Sequence, residues 1–247
     1  MAIVRWGPGR MAEAQASPST ELEADLDRIQ AAVDGGSTDL AALGFWRDVA
    51  LVKRDPGLIE RFADRIGRID TAAFRRAVRL RVPVWVGNAF LLIGIAIGLA
   101  AALASRSVSS ATMAGLLLLV AGVAWSISVH SPAHWIVGRW VGIRFTDAFL
   151  GGPPPPRPGL KIDYATYLRA DPNGRAWMHA SGAIATKLAP FVALAFWPGS
   201  GAPWWSAAGL LALGLLQIVT DVAFSVRSSD WKKFRRERAV ARANAGA

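Results

Sequence analysis

The sequence predicts an all-α membrane protein with four transmembrane helices and a charged helical head at its N-terminus. The chain has 247 residues, of which 53% are hydrophobic, yet its formal net charge is +10. Nearly all of the charged residues lie before Val82, between Arg139 and Arg175, or after Val226, and long stretches with almost no charge separate these blocks. A helix needs about 20 apolar residues to cross the ~30 Å hydrocarbon core of a bilayer, and the uncharged stretches approach that length.

The composition excludes several classes of protein. There is no cysteine, so the chain has no disulfide framework, no thiolate nucleophile and no Cys-based zinc or iron–sulfur site. The first ten residues contain no apolar region followed by a cleavage site, so we expect no cleaved signal peptide. The basic residues lie at the ends of the apolar stretches, where phospholipid head groups account for them, and we expect no nucleic-acid partner.

The N-terminal part is predicted to be a disordered segment, 1–18, followed by a cytoplasmic helical head, 19–81. Thr20 and Glu23 form a capping box that opens a helix ending near residue 33. Further helices are predicted over 38–53, from Pro56 onward, and over 71–81, each with apolar residues at helical spacing. This pattern is typical of a small bundle that packs on itself or lies on a membrane surface.

The membrane domain is predicted over 82–226. Its four spans are 83–104, 111–143, 177–197 and 204–226. The loop 151–175 between the second and third spans contains four consecutive prolines, which favour a stiff polyproline II segment and a spacer role rather than an SH3-type ligand.

Lysine and arginine positions predict the orientation of these spans. The two short loops, 105–110 and 198–203, hold only Arg106 between them, whereas the head, the middle loop and the tail 227–247 are rich in basic residues. Basic segments stay in the cytoplasm, so we expect a multi-pass protein of the inner (plasma) membrane with both termini cytoplasmic. The basic tail also carries Trp231 and Phe234, a composition that suits anionic lipid head groups.

Candidate ligands for a metal ion converge at one depth in this topology. His130, His134, His179 and Asp221 are all predicted near the cytoplasmic ends of their spans. Ionisable residues in membrane spans are costly and are functional candidates by default. His130 and His134 are four residues apart, so both rings project from one helix face, as two zinc-binding histidines do. The alternative is that the histidines bond backbone carbonyls and that Asp221 pairs with a tail arginine.

The segment 130–145, HSPAHWIVGRWVGIRF, followed by FLGG at 149–152, resembles the core of the site-2 intramembrane zinc metalloproteases. In that family an H-E-x-x-H helix leads into an "AR..GI" stretch and a loop. ASGAIA at 180–185 is similar to the family's "GP…N" span, and Asp221 occupies a late span, as does the family's third zinc ligand. The resemblance covers about 130–226 and implies that His130, His134 and Asp221 bind zinc.

The same comparison implies a degenerate relative that does not cleave peptides. Ser131 stands where the family has its general-base glutamate, and a serine cannot take a proton from zinc-bound water as a carboxylate does. Asp221-Val222 replaces the family's "DG", and Ala183 and Thr186 replace its proline and asparagine. Asp147 is the nearest carboxylate in sequence that could substitute as the base.

Two hypotheses about function follow from the sequence. The first is a metal-binding, site-2-protease-like membrane protein with a membrane-protein partner or substrate. The second is a non-enzymatic accessory or scaffolding subunit of a membrane complex. Lys187 is predicted near the middle of the bilayer and requires a partner there, for which Gln217 and Asn88 are the nearest candidates.

Overall fold

The computed structural model describes residues 18–151, 157–223 and 229–246. Within these ranges the chain is mostly helical. Its helices are α1 Pro18–Asp34, α2 Phe45–Val52, α3 Pro56–Ala77, α4 Val84–Ala104, α5 Ala111–Ser128, α6 His130–Trp140, α7 Tyr164–Arg169, α8 Pro172–Leu194, α9 Trp204–Ala223 and α10 Asp230–Ala245. Its strands are β1 Arg81–Pro83, β2 Phe145–Gly151 and β3 Arg157–Ile162. The segment predicted to be disordered, except Pro18, and the four prolines at 153–156 lie outside the described residues.

Three helices are long and apolar enough to cross a membrane: α4, α5, and α9 as far as Asp221. The predicted third span, 177–197, lies mostly in α8, which has the necessary length but carries Arg175 just before the predicted span and Lys187 within it. α8 is the central helix of the remaining helical part, because it packs against α5, α6, α9 and α10. Its polar side chains are therefore covered by other helices.

The predicted second span, 111–143, is two helices. α5 ends at Ser128 and α6 begins at His130, and the junction residue Val129 keeps a helical conformation. α6 ends at Trp140, and Gly142 takes a positive φ of 84° as the chain turns toward β2. The histidine motif thus forms the first turns of a helix of its own.

Helices α1, α2 and α3 share one apolar core, and we call them the N-terminal bundle. The core is built from Leu26, Ile29, Phe45 and Ile66, all fully buried. The separate helices predicted from Pro56 and over 71–81 are one continuous helix, α3, whose first turn is capped by Asp55 Oδ1 accepting from Gly57 N. α2 is shorter than predicted because the chain turns at Gly44, where φ is +81°.

A three-stranded antiparallel sheet in the order β1-β2-β3 makes the all-α prediction incomplete. Arg81 pairs with Phe149, and Phe149 pairs with Gly159. The sheet lies against the start of α4, where a Cβ at Gly87 would overlap the Cβ of Ala148. It also contacts α3, through an ion pair of Lys161 with the buried Asp70.

The two ends of the helical part differ in character. The loops after α4 and α8 lie together at one end, where Arg106 reaches Gly199 and Trp205 packs over Gly115. The N-terminal bundle, the sheet, α7 and α10 lie at the other end. This end carries buried ion pairs, such as Lys53 with Glu237 at 2.5 Å.

Candidate metal centre

His130 and His134 lie on one face of α6, as their spacing predicts. Their Nε2 atoms are 3.2 Å apart. Helix periodicity explains this placement, because residues four apart are neighbours on a helix surface. The two imidazoles therefore present one nitrogen each to the same point.

The other ring nitrogen of each histidine has a fixed partner on α8. His134 Nδ1 lies 2.6 Å from the carbonyl oxygen of Met178, which can only accept a hydrogen bond, so Nδ1 carries the proton. His130 Nδ1 lies 3.1 Å from Thr186 Oγ1, and that hydroxyl donates its own proton to Gly182 O at 2.9 Å. His130 Nδ1 is therefore also the donor. In the neutral rings, both Nε2 atoms are left with lone pairs.

The carboxylate at this point comes from α10. Asp230 Oδ2 is 3.4 Å from His130 Nε2 and 3.3 Å from His134 Nε2. Its other oxygen, Oδ1, accepts from Lys233 Nζ at 3.3 Å.

The sequence also explains why α10 begins where it does. Ser229 is its N-cap residue, and the Ser229 hydroxyl accepts from Lys232 N at 3.4 Å. Asp230 is thus the first residue of the helix, where a negative charge interacts favourably with the helix dipole. This cap directs the Asp230 side chain to the start of a helix that packs along α8.

His130, His134 and Asp230 form a group that could hold a metal ion. Three atoms with lone pairs face one another here, and they repel unless a cation lies between them. Ligands at ~2.0–2.1 Å around a tetrahedral zinc ion lie about 3.3–3.4 Å from one another. The separations of the three atoms, 3.2, 3.3 and 3.4 Å, match that spacing without any rearrangement. A single proton shared by two of the three atoms would make one hydrogen bond and leave the other two contacts repulsive.

The centre is accessible from one side. The His130 side chain is 41% exposed, whereas His134 and Asp230 are 13% and 16% exposed, so the group opens beside His130. The closed side is lined by Gly182 of α8, where a Cβ would overlap His134 Nε2. A glycine at this position leaves the space that the His134 ring occupies. Three protein ligands and one open side are the arrangement of a zinc site that keeps a coordination position free.

Two of the predicted ligands lie elsewhere. Asp221 Oδ2 is 2.6 Å from Lys187 Nζ, so the aspartate of α9 pairs with the lysine of α8 rather than with a tail arginine. His179 Nε2 lies 2.9 Å from the hydroxyl of Tyr167, which itself donates to Glu237 Oε1 at 2.9 Å. His179 is therefore the donor to Tyr167, in a separate polar cluster with Glu237. Neither residue belongs to the group formed by the other two histidines.

Asp230 is the member that sequence reasoning missed. The sequence places it in the tail after the fourth predicted span, and it reaches the histidines because α10 packs antiparallel along α8, from Asp230 beside His134 to Arg238 beside Asn173. The sequence feature that pointed to it was Ser228-Ser229-Asp230, a pattern typical of a helix start, which follows the fourth predicted span by a few residues. Asp147, considered as a substitute base, lies in β2 opposite Lys161. The described residues bring no second carboxylate into the group.

Comparison of the chain with protein-family models, with curated proteins and with solved structures finds no match.

Proposed function

We propose that the chain is an integral membrane protein that holds one divalent metal ion, zinc, between His130, His134 and Asp230. The observation that carries this proposal is the convergence of three lone-pair atoms at 3.2–3.4 Å, with both Nδ1 atoms already engaged as donors. Imidazole and carboxylate ligands in tetrahedral spacing suit zinc. Each ligand also has an outer partner, Thr186, Met178 O or Lys233, as ligands of protein metal sites usually do.

The proposal includes a fourth membrane crossing by α8. At 1.5 Å per residue a helix of this length spans about 34 Å, enough for the hydrocarbon core. Its Lys187 has a counter-charge in Asp221, which removes much of the cost of a lysine at that depth. The loops after α4 and α8 lie together, as two loops on the same side of a membrane would. The N-terminal bundle, the sheet and α10 are then cytoplasmic, with the basic α10 near anionic head groups.

The chemistry of this centre favours metal binding without peptide hydrolysis. Bound zinc can polarise a ligand in its open position and lower the pKa of a bound water. Proteolysis also needs a base that takes a proton from that water, and Ser131 occupies the corresponding position of the site-2 motif. Asp230 is the carboxylate of the group, and as a metal ligand it is not free to act as that base. We therefore propose a non-proteolytic relative of the site-2 metalloproteases.

Metal analysis of the purified, detergent-solubilised protein tests the proposal. We expect about one zinc per chain in the wild type and its loss in His130→Ala/His134→Ala and in Asp230→Asn. Asp221→Asn and His179→Gln are matched controls, since both were candidate ligands from the sequence, and they should keep the metal. Wild-type protein without stoichiometric metal would refute the site and leave the accessory-subunit hypothesis. Cleavage of β-casein or of a single-span peptide by the zinc-loaded protein would refute the non-proteolytic assignment.

A further inference from the structure

α10 carries a half-buried carboxylate, Asp230, and a buried one, Glu237, that face the same way. Asp230 and Glu237 are seven residues apart, which is close to two helical turns and about 10 Å along the axis. Phe234 lies between them and packs against Trp177 of α8, with ring centroids 5.5 Å apart. The helix therefore contacts α8 through one continuous face, with the metal centre at its first turn.

Glu237 is the meeting point of three other elements. Its Oε2 accepts from Arg175 Nε of α8 at 2.8 Å. Its Oε1 accepts from Lys53 Nζ, just after α2, at 2.5 Å and from the Tyr167 hydroxyl of α7 at 2.9 Å. Burial raises the pKa of Glu237, but the charges of Lys53 and Arg175 outweigh it, and this pKa lies below its usual value. The carboxylate is ionised and joins the N-terminal bundle to α8.

From these contacts we propose that metal binding locks α10 against α8 and thereby fixes the N-terminal bundle to the membrane helices. This inference rests on the proposed metal centre. Without a cation, the repulsion between Asp230 and the two Nε2 atoms weakens the first turn of α10. Loosening of that turn also frees Glu237, whose three donors lie on three different elements. The metal thus acts at the first turn of a helix whose middle, at Glu237, holds the bundle.

The coupling is reciprocal by thermodynamic necessity. If metal binds only when α10 is docked, the apparent Kd for metal equals the Kd of the docked state divided by the docked fraction. A change that lowers the docked fraction must therefore raise the apparent Kd by the same factor. Lys53 allows this to be tested from a distance, because it lies after α2 and touches none of the proposed ligands. Its ion pair with Glu237 is buried, so its removal weakens the docked state selectively.

Hydrogen exchange of the full chain in detergent or nanodiscs, with zinc or with EDTA, measures the effect. At free zinc 100 times the Kd, the opening of α10 should be suppressed about 100-fold, and its amides should exchange that much more slowly. Lys53→Met should raise the Kd for zinc by the factor by which it lowers the docked fraction of α10 in EDTA, a fraction that the exchange rates measure. Arg235→Gln removes an exposed charge from the same helix and should change neither quantity.

The outcomes separate this inference from the proposed function. If zinc binds at one per chain but α10 exchanges equally fast with zinc and with EDTA, the coupling is refuted and the metal centre stands. A zinc Kd in folded Lys53→Met protein that does not follow the docked fraction of α10 measured by exchange refutes it as well. If no zinc binds at all, the proposed function fails first. The exchange comparison in the wild type needs no variant, so misfolding of Lys53→Met leaves the test intact.

Discussion

At the scale of single residues, the candidate centre depends on hydrogen bonds that fix which nitrogen of each histidine is free. Thr186 sets the tautomer of His130, because its own proton is committed to Gly182 O. The Met178 carbonyl does the same for His134. Loss of either partner would let a ring rotate or protonate the wrong nitrogen.

Thr186→Val removes the hydroxyl and keeps the shape of the side chain. We expect zinc affinity to fall by about 10–100-fold, the usual cost of losing an outer-shell partner of a metal ligand. Competition with a chromophoric chelator measures this Kd. Thr186→Ser retains the hydroxyl and should bind zinc nearly as tightly as the wild type. Equal affinities for the valine and serine variants would show that Thr186 does not position His130.

The histidine pair could be predicted from the sequence and the carboxylate could not. The spacing of His130 and His134 fixes their common face whatever the rest of the fold does. Asp221 and Asp230 differ in their long-range contacts. The packing of α9 on α8 brings Lys187 to Asp221, whereas the packing of α10 brings the two histidines of α6 to Asp230. The i,i+4 rule is local, whereas the packing of α10 along α8 is a long-range contact.

At the scale of elements, α8 shows that mean hydropathy alone does not decide whether a helix can lie in a membrane, because a neighbouring helix can pair with its charged residue. Its average polarity is too high for a simple span, yet Lys187 is neutralised by Asp221 on α9. A charged pair between adjacent helices can occupy a depth that neither charge could occupy alone. The predicted partners of Lys187, Gln217 and Asn88, do not fill this role; Asn88 is buried with no hydrogen-bond partner for its amide group.

Charge removal tests the pair. Lys187→Met leaves Asp221 without its partner and should destabilise the protein by about 1.5–3 kcal/mol, as for a lost hydrogen bond to a charged group. The double variant Lys187→Met/Asp221→Asn leaves no unpaired charge and should recover most of that loss. Thermal unfolding in one detergent, followed for all variants, measures the difference. Additive losses in the double variant would show that the two residues do not interact.

The docking of α10 should depend on pH through Glu237. Its pKa is lower in the folded protein than in the unfolded chain, so the stability it contributes is complete above the unfolded-state pKa of about 4.3. That contribution is lost as the pH falls through the lower folded-state pKa. Exchange of the α10 amides in EDTA, corrected for the intrinsic pH dependence, should therefore accelerate below about pH 4. Glu237→Gln should remove this acceleration, and its persistence there would assign the effect to another group.

The sheet escaped prediction for a physical reason. β1 is short and includes Pro83, and β2 carries no sustained alternation of apolar and polar residues. Strands of this kind are stabilised by what they pack on, here the start of α4 at Gly87, and not by their own pattern. Long amphipathic and apolar helices, by contrast, reveal themselves through periodicity alone.

At the scale of the whole molecule, the proposed topology is testable because the loops after α4 and α8 lie at one end and the N-terminal bundle and the sheet lie at the other. The chain has no cysteine, so single cysteines can be introduced without removing any. Ser107 and Pro198 are exposed in the loops after α4 and α8, and Thr38 and Ala239 are exposed in the N-terminal bundle and α10. In intact cells a membrane-impermeant maleimide should label Ser107→Cys and Pro198→Cys. It should reach Thr38→Cys and Ala239→Cys only after the membrane is opened.

The Pro198 position decides the number of crossings. If α8 spans the membrane, Pro198→Cys is labelled from outside together with Ser107→Cys. If α8 is instead held on the cytoplasmic side by its polar residues, Pro198→Cys is protected like Thr38→Cys, and the chain crosses a different number of times. The first result places the histidine group near the cytoplasmic boundary, since α8 then enters the membrane just before Met178 and His134 binds the Met178 carbonyl. The second result places the histidine group outside the membrane. The argument that ionisable residues in a membrane are costly and therefore functional then no longer applies to this group, whether or not it binds metal.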